Sequence, residues 1–141
     1  MDIYGHTFTK TVMRELREDE GYRRFPYLCP AGALTIGYGR NLDANGVSKA
    51  EADILLRNDI VSARDYLSQI IDIDVLSDTR VRVLINMMFN LGPSRFKMFK
   101  QMIQAIRDGD FGMASVEMLD SAWASQVGAR ASRLAGMMRA G

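Results

Sequence analysis

One cysteine, one histidine, one tryptophan and three prolines are all that the 141 residues contain of four types that often mark chemistry or architecture. A single thiol, Cys29, can close no intramolecular disulfide, so the fold must stand on packing. With His6 as the sole imidazole and no cysteine pair, nothing resembles a zinc site, and neither a metal nor another cofactor is expected. No apolar run approaches the ~20 residues needed to span a bilayer, so no membrane span is expected. Met1–His6 has neither a basic start nor an apolar core, and no secretory leader is expected from it. Repeats, linkers and low-complexity segments are absent as well.

What is present reads as a globular chain, 48% hydrophobic and 25% charged. Its length suits one folding unit that buries roughly two-thirds of the surface its unfolded form exposes. The formal charge of +1 hides an asymmetry: residues 1–79 carry 9 basic and 13 acidic side chains, residues 80–141 carry 9 basic and 4 acidic. Arg80, Arg82, Arg95, Lys97, Lys100 and Arg107 follow one another with no acid among them. Such a surface is either a solvated helical face or an attractor of anionic polymers. Nucleic acid is disfavoured, because aromatics are not interleaved with these cations as a stacking platform requires.

Thr9 is read as the N-cap of a first helix whose apolar face is Val12, Met13 and Leu16. Glu18, Asp19 and Glu20 fall in its last turn, where the helix dipole opposes negative charge, so stability gives Glu20 little reason to be there. Gly21 stops the helix. Tyr22, Phe25, Tyr27 and Leu28 mark a strand that Pro26 confines to a sheet edge or a bulge. Cys29-Pro30-Ala31-Gly32 has turn chemistry, and Ala33 to Tyr38 reads as the returning strand. Gly37 and Gly39 leave the backbone bare for something to approach closely.

Beyond the hairpin, Asn45-Gly46 signals a turn and Ser48–Glu51 has the form of a capping box opening a long helix to about Ile70. Asp78 is a candidate cap for the next helix, whose stretch Val81 to Leu91 is almost uniformly apolar and should be buried. Gly92-Pro93-Ser94 breaks the chain, and further helices are expected over 95–107, 111–119, 121–126 and 129–139. Eight of the ten methionines fall after residue 86, where core filling explains them better than a ligand-adapting surface.

Taken singly, Glu20 is a solvated helix-end acid, Cys29 a small inert hydrophobe and Thr35 a β-branched strand residue. Their spacing changes this. Glu20, eight residues, Cys29, five residues, Thr35 resembles the Glu, Asp or Cys, Thr signature of the phage-type lysozymes of glycoside hydrolase family 24, best known from T-even phages. The likeness extends through Asp19-Glu20-Gly21, Thr35 to Gly39, Asn45-Gly46-Val47, Leu84 to Gly92, and Ser121-Ala122-Trp123 with Arg130 and Arg133. It therefore covers nearly the whole chain.

The resemblance implies an α+β, lysozyme-like fold in a single domain over 1–141. A small hairpin lobe would cover about 20–60, a larger helical lobe 1–19 and 61–141, and a long helix would join them. It implies a muramidase that cuts the β-1,4 bond between N-acetylmuramic acid and N-acetylglucosamine, with Glu20 as general acid. Thr35 and Cys29 would place the water; thiolate attack by Cys29 and a merely space-filling Cys29 remain alternatives. Gly37 and Tyr38 on one wall of a cleft, Phe89 and Asn90 on the other, would hold the sugar. Trp123 would pack beneath the site, Asn86 would be a satisfied core amide, and Arg130 would stand against Glu20. Arg40 replaces a histidine of the T-even pattern, which implies a pair with Asp59. The segment from Gly39 to Asn45 is shorter than in that pattern, which leaves the extent of the sheet open. The expected partners are peptidoglycan strands and, through the basic C-terminal part, anionic wall polymers, the protein being a monomer made in the host cytoplasm and acting on the wall. A silent wall-binding module and a lytic transglycosylase are the rival functions.

Overall fold

Gly5, with φ +78°, starts the first helix one turn earlier than Thr9 would, so that α1 spans His6–Glu20. The computed structural model describes residues 5–141 and divides the chain into two compact units, Met1–Ala52 and Asp53–Gly141. α1 stops as anticipated: Gly21 takes φ +70° and its N–H bonds the Arg17 carbonyl at 3.0 Å. No residue of α1 is buried, and its apolar side chains Met13 and Leu16 stay about half exposed.

After α1 comes a three-stranded antiparallel sheet in the order β1-β2-β3, formed by Arg23–Leu28, Leu34–Gly37 and Arg40–Asn41. β1 is an edge strand, and its register against β2 slips between Arg23 and Tyr27. Pro26 lies inside that slip; lacking an N–H, it cannot join the ladder. The hairpin closes through Gly32 N–H to Cys29 O at 2.8 Å and Cys29 N–H to Ala33 O at 2.9 Å. Gly32 holds φ +84°, a conformation that side chains resist. Sequence patterning does not reveal β3 or the one-turn helix α2 (Leu42–Asn45), which follow because Asn41 caps that turn, accepting from Ala44 N–H at 2.9 Å.

Helix α3 (Lys49–Ile70) opens on the expected capping box and runs on into the second unit. Ser48 Oγ accepts from Glu51 N–H at 3.2 Å and Glu51 Oε1 accepts from Ser48 N–H at 2.9 Å. After a 3-10 turn at Ile73–Val75 come α4 (Asp78–Leu91), α5 (Pro93–Phe96), α6 (Lys100–Arg107), α7 (Phe111–Leu119), α8 (Ala122–Val127) and α9 (Ala129–Ala140). Ser77, not Asp78, caps α4 by accepting from Arg80 N–H at 3.2 Å; Asp78 becomes the first helical residue, where the dipole favours an acid. The single helix expected over 95–107 is two, separated by a turn at 97–99.

The core of the second unit is fully buried Leu67, Val83, Leu84, Met87, Phe96, Met102, Met118, Leu134 and Met138, with α7 packed against α9. Methionines thus fill the interior, as expected. α4 is one-sided rather than enclosed: Val83, Leu84, Met87, Met88 and Leu91 face inward, while Phe89 is exposed. Leu84→Ala should therefore cost about 2–5 kcal/mol in denaturant unfolding. Met98→Ala, at a side chain 76% exposed, should stay within about 0.5 kcal/mol of the parent.

Candidate active site

Glu20 is the last residue of α1, and its carboxylate rests against the β2–β3 turn. A Cβ added at Gly39 would stand 2.9 Å from Glu20 Oε2 and 3.2 Å from its Cδ, and Gly39 itself holds φ +79°. The bare backbone foreseen at this glycine is thus occupied by the acid. A side chain there would push Glu20 off the hairpin.

Cys29 and Thr35 meet through the main chain of Ala33. The Ala33 carbonyl accepts from Cys29 N–H at 2.9 Å and from the Thr35 hydroxyl at 2.8 Å, while Ala33 N–H donates to Cys29 Sγ at 3.4 Å. Bonds from the N–H groups of Ala33 and then Ala31 hold the Cys29 thiol below the usual thiol range. Thr35 is buried and sits opposite Tyr27 and Asn41 in the sheet. Its proton is committed to Ala33, so its oxygen offers lone pairs.

Arg40 is paired with Glu51 inside the first unit, whereas Asp59, the partner expected for it, belongs to the second. Arg40 Nη1 donates to Glu51 Oε1 at 2.8 Å and to the Gly46 carbonyl at 3.0 Å, and Nη2 donates to Glu51 Oε2. Glu51 is ready for this role because the capping box fixes it in the first turn of α3. The fork and the Ser48 bonds hold the Glu51 carboxyl down at about 2.

In the second unit, Asn86 Oδ1 accepts from Arg130 Nε at 2.9 Å and from Nη2 at 2.6 Å, so Asn86 is a satisfied amide whose partner is the arginine. Asn86, Phe89 and Arg130 line one cavity of about 310 Å³ together with Leu56, Ile60, Arg82 and Ile85. The Trp123 ring is buried, and its Nε1–H donates to Asn90 Oδ1 at 2.9 Å. Asn90 is thereby turned so that its amide N–H₂ is left to donate.

A sequence profile described as Phage lysozyme matches residues 17–140. The chain belongs to the phage lysozyme family. It is also similar to an endolysin of Acyrthosiphon pisum secondary endosymbiont phage 1, 27% identical over 107 residues, which are 74% of this chain and 72% of that protein. Membership of the phage lysozyme family makes the chain a hydrolase of the lysozyme type, with peptidoglycan as its substrate. Among the described residues no helix is long and apolar enough to cross a membrane.

Three features of this lysozyme were missed by sequence reasoning. Ala33 acts through its backbone and leaves no trace in residue type. Glu51 was signalled by its capping box but not as the partner of Arg40, and the Asn86–Arg130 pair joins positions 44 apart in the chain.

Two predictions follow the geometry. Depressed in the fold, Glu51 adds stability that is complete above its ordinary value of 4.5 and is lost as pH falls toward about 2. Arg40→Gln should move the Glu51 carboxyl midpoint in an NMR titration back toward 4.5 and flatten that acid arm of the stability curve. Gly39→Ala and Gly109→Ala, at φ +79° and +74°, should each lose roughly 1–2 kcal/mol from the left-handed backbone alone. Only Gly39→Ala should also displace a side chain, the flexible end of Glu20 swinging away, which a shift of the Glu20 carboxyl signal in NMR would show.

Proposed function

We propose that the chain hydrolyses the β-1,4 bond between N-acetylmuramic acid and N-acetylglucosamine with inversion, Glu20 acting as general acid and Cys29 with Thr35 holding the attacking water. The observation that carries this reading is the juxtaposition of two hydrogen-bond acceptors, sulfur and hydroxyl, on the hairpin against which the Glu20 carboxyl rests.

Glycoside cleavage needs a proton on the leaving oxygen and a nucleophile on the opposite face of the anomeric carbon. Glu20 gives its proton to the bridging oxygen as the carbon–oxygen bond breaks. Water donates one hydrogen to the Thr35 oxygen and the other to Cys29 sulfur, so that its lone pair faces the anomeric carbon. The proton shed on attack passes to sulfur. Its lowered pKa supports this role, since a thiolate held by backbone N–H groups is an acceptor at lower pH than a free thiol.

The same N–H bonds that favour the thiolate also turn it toward the turn's backbone, which favours a proton acceptor over a sulfur nucleophile. Gly37 and Tyr38 in the first unit supply sugar contacts, as do the exposed Phe89 ring and the Asn90 amide in the second. Arg130 has its role toward Glu20 from the family likeness alone. The basic residues from Arg80 onward would attract anionic wall polymers, and the protein would work as a monomer after reaching the wall.

Glu20→Gln should reduce release of reducing ends from purified peptidoglycan by ~10²–10⁴-fold. A variant as active as the parent would remove the acid from the mechanism. Cys29→Asp should retain activity while Cys29→Ala loses it; equal activity of all three would leave sulfur with a space-filling role. Mass analysis of the released sugars should show the addition of one water, and anhydro-sugars would indicate a transglycosylase instead.

A further inference from the structure

Two tyrosines stand beside the proposed acid and are not accounted for by folding. Tyr22 follows Glu20 by two residues, and Tyr38 precedes the glycine on which the Glu20 carboxylate rests. Their ring centroids are 5.7 Å apart with planes tilted by 48°. Arg17, one helical turn before Glu20, places its guanidinium carbon 5.8 Å from the Tyr38 centroid. The rings are 65% and 49% exposed, so holding them together removes little apolar surface from water.

The acids Glu18, Asp19 and Glu20 close α1, and the hairpin sequence that follows them carries charge of the opposite sign. Between Glu20 and Asp43 the only charged residues are Arg23, Arg24 and Arg40, and Arg40 is committed to Glu51. Arg23 and Arg24 lie against the Tyr27 and Phe25 rings, at 4.7 Å and 5.4 Å. Aromatic faces accept the C–H face of a pyranose, and a guanidinium steadied against a ring offers planar paired donors that match a carboxylate.

We propose that Tyr22, Tyr38 and Arg17 form a subsite that binds a carboxylate-bearing sugar of the glycan strand, the rings stacking on the pyranose and Arg17 pairing with its acid group. The inference rests on the lysozyme reading and adds a selectivity to it. A muramyl residue meets the requirement in two ways, through its own lactyl carboxylate or through the carboxylates of its stem peptide. An N-acetylglucosamine ring has neither.

The test is calorimetric titration on the Glu20→Gln background, where affinity is read whether or not a bond is cut. Three glycans are compared: strands with stem peptides, strands whose stems have been removed to free the lactyl carboxylate, and neutral N-acetylglucosamine oligomers of equal length. Arg17→Gln should weaken binding of the carboxylate-bearing strands by ~10-fold, equivalent to about 1.4 kcal/mol, and leave the neutral oligomer unchanged. Loss for both anionic strands assigns Arg17 to the lactyl group; loss only where stems are present assigns it to the peptide. Tyr22→Ala, at an exposed side chain that should not disturb the fold, should weaken all three. Equal loss for neutral and anionic glycans on Arg17→Gln, or no loss for any, overturns the proposal. The hydrolase reading is tested separately, on the parent protein, by release of reducing ends that carry one added water.

Discussion

The main chain of Ala33 is the constraint on which the candidate site depends. One residue, without a functional side chain of its own, bonds the amide and the sulfur of Cys29 and the hydroxyl of Thr35. Those bonds exist because the hairpin closes over Pro30 to Gly32, with glycine taking the left-handed conformation the loop requires. Fixing two side chains to one backbone unit removes their freedom before any ligand arrives. That is preorganisation in its simplest form.

The acid is brought to the same hairpin by different means. Helix α1 delivers Glu20 at its end, and the missing side chain of Gly39 leaves the space its carboxylate occupies. Arg40, next in the chain, then ties the hairpin to the start of α3 through Glu51, whose position is set by Ser48. A capping box that would ordinarily serve only a helix end thus also anchors the strand that follows the acid's resting place. Local helix chemistry and site geometry share one carboxylate.

Much of this was readable from residue types because local rules govern it. The helix stop at Gly21, the bulge around Pro26, the Cys29 to Gly32 turn and the Ser48–Glu51 box follow from φ preferences and side-chain bonding within a few residues. The interior of the second unit was anticipated from the apolar stretch around Leu84 and the methionine-rich C-terminal part. What patterning missed depends on competition or distance. Ser77 outcompetes Asp78 as a cap, Glu51 takes the Arg40 fork from 11 residues away, and Asn86 meets Arg130 across 44 residues. Strand β3 has two residues, too few to show alternation.

If water held by Thr35 and Cys29 attacks the anomeric carbon directly, the configuration at that carbon must invert, because bond making and bond breaking occur on opposite faces. Attack by the Cys29 sulfur followed by water would invert twice and retain it. Proton NMR of the first product formed from a defined β-linked glycan, recorded before mutarotation, reads this outcome directly. The α-anomer is the predicted result; the β-anomer as first product would contradict the account.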